Sequence, residues 1–146
     1  MDRLKGKVAI ITGGNSGVGE ATAKMFAKEG ATVVITARRE AALEKVAEEI
    51  KAAGGEVFAV STDISKKGDP ERLMDLVIEK YGKVDILVNN AGILEEGLKP
   101  IDRFSDEDLD RIIETNEKGT MRCMRAASQK MQAGASIVNV LLLSLE

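Results

Sequence analysis

Short apolar runs alternate with longer amphipathic stretches along the chain. Five of these runs are continuous and rich in β-branched residues, with little alternation of polar and apolar positions. Runs of this kind are typical of strands that are buried on both faces of a parallel sheet. They lie at residues 7–12, 32–36, 57–60, 84–88 and 137–143. The pattern therefore predicts five strands.

Helical spacing of apolar residues follows each of the first four runs. Ser105 and Asp108 have the spacing of a capping box at the start of one such stretch. Asp69 and Pro70 form a cap followed by a proline at the start of another. The apolar positions of the predicted helices are Ala21, Met25 and Phe26; Leu43, Val46, Ala47 and Ile50; Leu73, Leu76 and Val77; and Leu109, Ile112 and Ile113.

The alternation of strands and helices predicts the fold class. Repeated βαβ units with right-handed crossovers build an α/β, doubly wound parallel sheet of Rossmann type. We expect about five strands in the order 3-2-1-4-5, with helices on both faces of the sheet. No linker, repeat or low-complexity segment interrupts the sequence, so residues 1–146 are predicted to form a single domain.

Composition narrows the possible chemistry. The sequence has no histidine and one cysteine, which excludes an internal disulfide, a Cys-based metal site and Ser–His or Cys–His nucleophilic machinery. Cys123 falls within a helical pattern and is predicted to be a small core residue rather than a nucleophile. The net charge is −3 without a basic cluster, and no apolar stretch is long enough to span a membrane. We expect a cytoplasmic protein that binds no metal, nucleic acid or membrane.

A glycine cluster follows the first predicted strand. Residues 12–19 have the sequence Thr-Gly-Gly-Asn-Ser-Gly-Val-Gly and lead into a predicted helix. Glycines at such a turn let the backbone approach a pyrophosphate, which then lies on the exposed N–H groups of the helix N-terminus. The alternative is an ordinary strand-to-helix loop, for which one or two glycines suffice. A P-loop is excluded, because Glu20 and Ala21 stand where it needs Lys and then Ser or Thr.

Two motifs resemble those of the short-chain dehydrogenase/reductase family. The first is the Thr-Gly-x-x-x-Gly-x-Gly spacing of residues 12–19, and the second is Asn-Asn-Ala-Gly at residues 89–92, directly after the fourth predicted strand. Asp63 after the third strand and Asn116 in the next long helix also match. The resemblance covers nearly the whole chain. It implies a dinucleotide-binding domain of an NAD(P)-dependent oxidoreductase, which transfers hydride between NADPH and a carbonyl or alcohol substrate.

The resemblance also implies a role for each matching residue. The glycines of the loop would line the pyrophosphate, Asp63 would contact the adenine ring with Ile64 beside it, and residues 89–92 would support the central sheet and approach the ribose. Asp63 could instead only cap a helix or turn, and residues 89–90 could only form a turn at the strand end. The cofactor-binding residues that the resemblance implies are Gly13, Asn15, Ser16, Gly17, Val18, Gly19, Asp63, Ile64, Asn89, Ala91 and Gly92.

Asn116 matches the catalytic asparagine of the resembling family, which holds a water in a proton relay. It follows Leu109 by seven residues, which predicts that it shares a helix face with Ile112 and Ile113. A polar side chain in such an apolar stripe needs a buried hydrogen-bond partner. The alternative is a structural asparagine that ties the helix backbone to the next strand.

The residues after the second predicted strand bear on the choice of cofactor. An acidic residue about 20 positions after the glycine loop binds the ribose of NAD, whereas an arginine there favours the phosphate of NADP. Ala37 stands where the resembling family has its NAD-selecting aspartate, and Arg38 follows it. A guanidinium can bind a 2′-phosphate with two hydrogen bonds. The sequence therefore predicts NADP(H) over NAD(H); the alternative is that Arg38 and Arg39 are solvated residues of the next helix.

The remaining catalytic residues of that family have no match. Its members have a serine after strand five and a Tyr-x-x-x-Lys pair further on, in which the tyrosine is the general acid/base. The only tyrosine here is Tyr81, and Asp85 stands four residues after it. Leu141 and Leu142 occupy the place of the usual Ser–Ser pair, and Ser144 is displaced from it. We therefore expect a domain truncated before the Tyr-x-x-x-Lys region that keeps cofactor binding, or a truncated or designed module that dimerises without turnover.

Two apolar elements predict self-association. The fifth predicted strand would be a leucine-rich sheet edge, and such edges pair readily with further strands. The helix with Asn116 also carries Met121, Met124 and Ala127, and in the resembling family this helix packs against a partner subunit. We expect a homodimer or larger homo-oligomer, with a nicotinamide dinucleotide as the small-molecule partner.

Overall fold

Strands and helices alternate along the chain as the sequence predicts. The structure is a computed structural model, and it describes residues 2–92 and 100–140. Its strands are β1 (Val8–Thr12), β2 (Thr32–Ala37), β3 (Glu56–Ser61), β4 (Ile86–Asn89) and β5 (Ser136–Asn139). Its α-helices are α1 (Gly17–Lys28), α2 (Glu40–Ala52), α3 (Asp69–Tyr81), α4 (Asp106–Ile112) and α5 (Thr120–Ser128). A 3₁₀ turn (Ile101–Arg103) precedes α4, and a π-helix (Ile113–Gly119) joins α4 to α5.

The five strands form one sheet in the order β3-β2-β1-β4-β5, and every pairing is parallel. The predicted fold class, a doubly wound sheet of Rossmann type, is confirmed. Strand β1 is buried along its whole length, because it has a strand on each side and a helical layer on each face. Thr12 at the end of β1 pairs with Thr36 of β2, so the carboxyl ends of these strands lie at the same edge.

Each face of the sheet has its own core. The α1–α2 core joins those two helices to one face, with Val46 of α2 and Ile11 of β1 among its buried residues. The α3–α5 core covers the other face, with Leu73 and Cys123 in the same cluster as Ile10. Ile10 and Ile11 serve opposite cores because successive side chains of a strand point to opposite faces. Within the described residues, no helix has the length and hydrophobicity needed to cross a membrane.

The strand limits are close to the predicted ones. Strand β4 begins at Ile86 rather than at residue 84, and Asp85 just before it uses its carboxylate to accept a hydrogen bond from the backbone N–H of Val8 at 2.8 Å. The sequence predicts a fifth strand over residues 137–143, and the structure has β5 over Ser136–Asn139. The predicted positions at Leu141, Leu142 and Ser144 lie outside the described residues.

The predicted capping box at the start of α4 is confirmed. The Asp108 backbone N–H donates to Ser105 Oγ at 3.1 Å, and the Ser105 N–H donates to Asp108 Oδ2 at 2.9 Å. Asp69 behaves differently, because it lies inside α3 and Gly68 is the N-cap. Its carboxylate accepts instead from the backbone N–H of Asp63 at 3.0 Å. Asp69 thus stabilises the turn that follows β3.

The inner face of α1 agrees only in part with the predicted one, because Phe26 packs against the α1–α2 core as predicted. Ala21 and Met25 are exposed, whereas Gly19 and Ala23 are buried. Small residues at these two positions let the helix lie close to the strand before it. The pattern of apolar positions does not mark Gly19, because a glycine has no apolar side chain to count.

Asn116 lies in the π-helix rather than in a continuous α-helix. The wider π turn interrupts the 3.6-residue spacing on which the predicted apolar face depends. Leu109 and Ile113 are 40% and 41% exposed, so the predicted buried stripe around Asn116 is wrong. π turns occur frequently at functional sites, and here Asn116 lies against Gly92 in the loop after β4.

Cys123 is fully buried in the α3–α5 core, as predicted. Burial, together with the negative charge of Glu71, raises the pKa of its thiol to about 12. A thiol that is protonated at neutral pH is a poor nucleophile. Tyr81 packs against the same core, with its ring edge-on to Phe58 at a centroid distance of 6.2 Å.

Candidate nucleotide-binding site

A cleft of about 680 Å³ opens at the carboxyl end of the parallel strands. The loops after β1, β2, β3 and β4 form its walls, together with one residue of the π-helix. This is the edge at which open α/β sheets bind their ligands. The lining residues are Thr12, Gly13, Asn15, Ser16, Gly17, Val18, Thr36, Ala37, Arg38, Arg39, Thr62, Asp63, Ile64, Asn90, Ala91, Gly92 and Thr115.

The glycine loop is packed so closely that a side chain does not fit at its base. A Cβ built on Gly19 would lie 2.0 Å from the carbonyl oxygen of Gly13 and 2.6 Å from Nδ2 of Asn90. Gly17 at the cleft wall is different, because it has φ of +53° and open space where a Cβ would be. Gly19 therefore lets α1 start against the loop, and Gly17 leaves room in the cleft itself.

The first turn of α1 directs backbone donors towards the cleft. Ser16 is the N-cap of this helix, and Gly17 and Val18 are its first residues; all three line the cleft. The first N–H groups of a helix have no partner within the helix and lie at the positive end of its dipole. An anionic group such as a pyrophosphate is therefore favoured at this position.

The hydroxyl of Thr12 joins the glycine loop to the loop after β4. Thr12 Oγ1 accepts from the backbone N–H groups of Asn90 at 3.0 Å and Ala91 at 2.9 Å. The Asn90 side chain donates back through Nδ2 to the carbonyl oxygen of Gly13 at 3.3 Å. Two loops that are distant in sequence are thus held as one wall of the cleft.

Two arginines lie in the cleft at the end of β2. Arg38 and Arg39 follow Ala37, whose side chain has no charge that would repel a phosphate. The carbonyl oxygen of Arg38 accepts a hydrogen bond from Ser61 Oγ at 3.1 Å, which fixes its backbone. Both side chains are exposed, and among the described residues neither guanidinium has an ion-pair partner. Both are therefore available to an anionic ligand.

The turn after β3 places Asp63 and Ile64 on the cleft wall. Asp63 Oδ1 accepts from the backbone N–H of Ser65 at 3.0 Å and from Ser65 Oγ at 2.6 Å. Asp63 therefore caps a turn, which was one of its two predicted roles, and it also faces the cleft. The same carboxylate therefore both stabilises the turn and belongs to a residue that lines the cleft.

Asn116 and Asn89 lie next to the cleft rather than on its wall. A Cβ built on Gly92 would lie 3.4 Å from Asn116 Oδ1, so the asparagine lies against the loop after β4. Asn89 is buried, and its Nδ2 donates to Asn139 Oδ1 at 2.9 Å across the β4–β5 pair. Asn89 thus supports the sheet from behind the cleft.

The cleft gathers the predicted cofactor-binding residues except Gly19 and Asn89, which lie behind its wall. Thr36, Thr62 and Thr115 also line the cleft, and the sequence predicts no role for them. The place of Thr36 and Thr62 in the cleft could have been predicted from the sequence. Each lies at or just after the end of a predicted strand, and the carboxyl ends of parallel strands lie at the same edge of the sheet. The place of Thr115 could not, since its direction depends on the π turn.

The residues of the cleft fit a nicotinamide dinucleotide. The arginines can bind a phosphate, and the helix N-terminus can bind a pyrophosphate. The carboxylate can accept a hydrogen bond from the amino group of a purine. The open space at Gly17 leaves room for a pyrophosphate beside the backbone. The described part of the chain holds no group of His, Cys, Asp and Glu side chains suited to a metal ion.

Known proteins resemble this chain in both sequence and structure. The short chain dehydrogenase family matches residues 7–142. An uncharacterized oxidoreductase of Methylorubrum extorquens is 38% identical over 141 residues, which are 96% of this chain and 56% of that protein. A 3-oxoacyl-(acyl-carrier-protein) reductase of Thermotoga maritima is 37% identical over 140 residues, which are 94% of this chain and 56% of that protein. The chain spans about half the length of the curated relatives it matches.

A solved structure has the same fold over most of the chain. It is a short chain dehydrogenase from Burkholderia cenocepacia in complex with NADP. The two structures have a TM-score of 0.87 and 35% sequence identity. The match covers 94% of this chain and 56% of that one.

Proposed function

The chain belongs to the short-chain dehydrogenase family, a family of oxidoreductases, and from this premise we propose that its cleft binds a nicotinamide dinucleotide and prefers NADP(H) to NAD(H). The observation that carries the proposal is that Arg38 lies in one cleft with the glycine loop, next to an uncharged Ala37. A guanidinium there can bind a 2′-phosphate with paired hydrogen bonds. The relative from Burkholderia cenocepacia that was solved with NADP supports this assignment.

In this proposal the dinucleotide lies along the carboxyl edge of the sheet. Its pyrophosphate lies on the first turn of α1, where Gly17 leaves space and the backbone N–H groups donate. Arg38 binds the 2′-phosphate at the end of β2, and Asp63 faces the adenine at the end of β3. The loop of residues 90–92 borders the nicotinamide ribose at the end of β4.

When bound, NADP(H) would supply the hydride for a carbonyl–alcohol reaction. Asn116, against Gly92, would hold a water for the proton relay. Tyr81 is unsuited to the acid/base step, because burial, together with the charge of Glu56, raises its pKa and it packs on Phe58 away from the cleft lining. Residues 1–146 by themselves are therefore expected to bind the cofactor without turnover.

Fluorescence titration with NADPH and NADH in parallel tests the proposed function. We expect saturable binding of both nucleotides with about tenfold higher affinity for NADPH, which corresponds to a free-energy difference of about 1.4 kcal/mol. Equal affinity would contradict the NADP preference alone. If neither nucleotide binds to protein shown to be folded by circular dichroism, the cofactor-binding proposal is wrong.

The second candidate function is a non-catalytic module that associates with copies of itself. The observation that favours it is the exposure of apolar side chains on α4, the π-helix and α5: Leu109, Ile113 and Met121 are 40%, 41% and 67% exposed. Met124 is half-buried and can still contribute to this side. Ala127 is fully buried in the α3–α5 core, so its predicted place on the exposed side is wrong. Self-association through this side is compatible with cofactor binding in the cleft.

Light scattering of the purified chain is expected to give the mass of a dimer or larger oligomer. Met121→Glu should shift the mass towards the monomer, because it places a charge in the apolar contact. Met25→Glu is the matched control, since Met25 is 54% exposed but lies on α1, on the opposite face of the sheet. A monomeric mass for the unmodified chain would refute self-association.

A further inference from the structure

The two carboxylate oxygens of Asp63 have different surroundings. Oδ1 accepts both hydrogen bonds from Ser65, at 3.0 Å from its backbone nitrogen and at 2.6 Å from its hydroxyl oxygen. No other described residue donates to this carboxylate, which leaves Oδ2 as an acceptor on a residue that lines the cleft. The two bonds to Oδ1 also fix the plane of the carboxylate. The direction in which Oδ2 accepts is therefore set by Ser65.

Ser65 is held in turn by α5. Nη1 of Arg122 donates to the carbonyl oxygen of Ser65 at 3.1 Å and to Glu114 Oε2 at 3.0 Å. The Arg122 side chain is only 12% exposed, whereas that of Glu114 is 39% exposed. A hydrogen bond from a charged donor that is largely buried is stronger than one at the surface. Ser65 is thus bonded to Asp63 through its N–H and hydroxyl and to Arg122 through its carbonyl oxygen.

The contact between the π-helix and this turn is sterically close. A Cβ built on Gly119 would lie 2.8 Å from Cγ1 of Ile64, so the end of the π-helix rests directly on the turn. On the other side of the turn, Asp69 accepts from the backbone N–H of Asp63 at 3.0 Å. The turn of residues 63–65 is therefore fixed from α3, from the π-helix and from α5.

We propose that Ser65 and Arg122 are positioning residues that orient Oδ2 of Asp63 so that the cleft selects a 6-aminopurine over a 6-oxopurine. The inference rests on the proposed function, in which the adenine end of the dinucleotide lies at Asp63. An exocyclic amino group donates to a carboxylate, whereas an exocyclic carbonyl places an acceptor against an acceptor. Discrimination comes from that repulsion as much as from the bond to the correct base. This discrimination requires that the carboxylate of Asp63 has a fixed orientation.

Binding of NADPH is compared with that of reduced nicotinamide hypoxanthine dinucleotide phosphate, which has a 6-oxopurine in place of adenine. The unmodified protein is expected to bind NADPH at least tenfold more tightly, in the range of one hydrogen bond to a charged group. Ser65→Ala should reduce this ratio to about threefold or less, because Oδ1 loses the hydroxyl bond and the carboxylate can rotate. Arg122→Met should reduce it in the same direction. A merely structural role would lower both affinities together and leave the ratio unchanged.

Two control variants match these substitutions. Ser128→Ala removes a serine hydroxyl that bonds to the carbonyl oxygen of Met124 on α5, and Arg125→Met removes an exposed arginine of α5 that bonds to Glu71 at 3.2 Å. Neither residue contacts the turn, so both variants should keep the ratio of the unmodified protein. Asp63→Asn adds a direct test, because an amide can donate to a 6-oxo group and should favour the hypoxanthine dinucleotide.

The outcomes separate this inference from the proposed function. A folded Ser65→Ala variant with an unchanged ratio would overturn the inference, and so would an unchanged ratio in Asp63→Asn. NADPH binding without any preference over the hypoxanthine dinucleotide would overturn it while leaving the proposed function intact. If the unmodified protein binds neither dinucleotide, both the proposed function and this inference are wrong.

Discussion

Gly19→Ala is expected to remove measurable NADPH binding and to lower the thermal unfolding midpoint by about 10 °C. The new Cβ would lie 2.0 Å from the carbonyl oxygen of Gly13, which is backbone and cannot move aside as a flexible side chain can. Relief requires α1 to move away from the glycine loop, which displaces the N–H groups that are proposed to bind the pyrophosphate. Overpacking of this kind costs about 1–3 kcal/mol of unfolding free energy or more. Thermal denaturation and fluorescence titration measure the two effects.

Gly54→Ala is the control for adding the same methyl group elsewhere. Gly54 has φ of +87°, but no heavy atom lies within 4 Å of the position of its Cβ. The left-handed conformation costs an alanine about 1–2 kcal/mol, so the variant should lose stability and keep its NADPH affinity. If Gly19→Ala keeps the affinity and midpoint of the unmodified protein, the close packing of the glycine loop does not support the site.

Arg38→Asp should lower the affinity for NADPH by about 100-fold and leave the affinity for NADH within about threefold. The substitution removes a guanidinium that has no ion-pair partner among the described residues, and it places a carboxylate where the 2′-phosphate is proposed to lie. Loss of a charge-assisted hydrogen bond and new repulsion act in the same direction. NADH has no 2′-phosphate, so it should escape both effects. Parallel titrations with the two nucleotides give the ratio.

Arg103→Asp is the matched control for this change in charge. Arg103 is exposed in the 3₁₀ turn before α4 and does not line the cleft. Its replacement should leave the NADPH-to-NADH ratio unchanged. If Arg38→Asp lowers NADPH and NADH binding equally, Arg38 supports the structure of the cleft rather than binding the 2′-phosphate.

The strand order and the glycine loop could be predicted because their signals are local and repeated. Each central strand is a short apolar run, and the rule of right-handed crossovers restricts how such runs can be ordered. The capping box of Ser105 and Asp108 is equally local, since both of its hydrogen bonds join residues three positions apart. Signals of this kind need no knowledge of the tertiary structure.

The remaining features depend on contacts between distant segments or on departures from regular geometry. Arg122 bonds to Ser65 over a separation of 57 residues, and nothing in the sequence around either residue marks that contact. The π-helix changes the angle between successive residues, so an extrapolation from Leu109 to Asn116 at 3.6 residues per turn gave a wrong face. In α1 the buried positions Gly19 and Ala23 are marked by their small size rather than by hydrophobicity.

The two cores of the sheet differ in the order in which synthesis can complete them. Apart from Val88, the buried residues of the α1–α2 core all lie between Ala9 and Val57. The α3–α5 core joins Ile10 to Cys123 and therefore has to wait for α5. Contacts between nearby segments close small loops, which cost less entropy, and a nascent chain emerges from its N-terminus. The α1–α2 core can therefore form on one face of the sheet while the ribosome is still synthesising α5, which covers the other face.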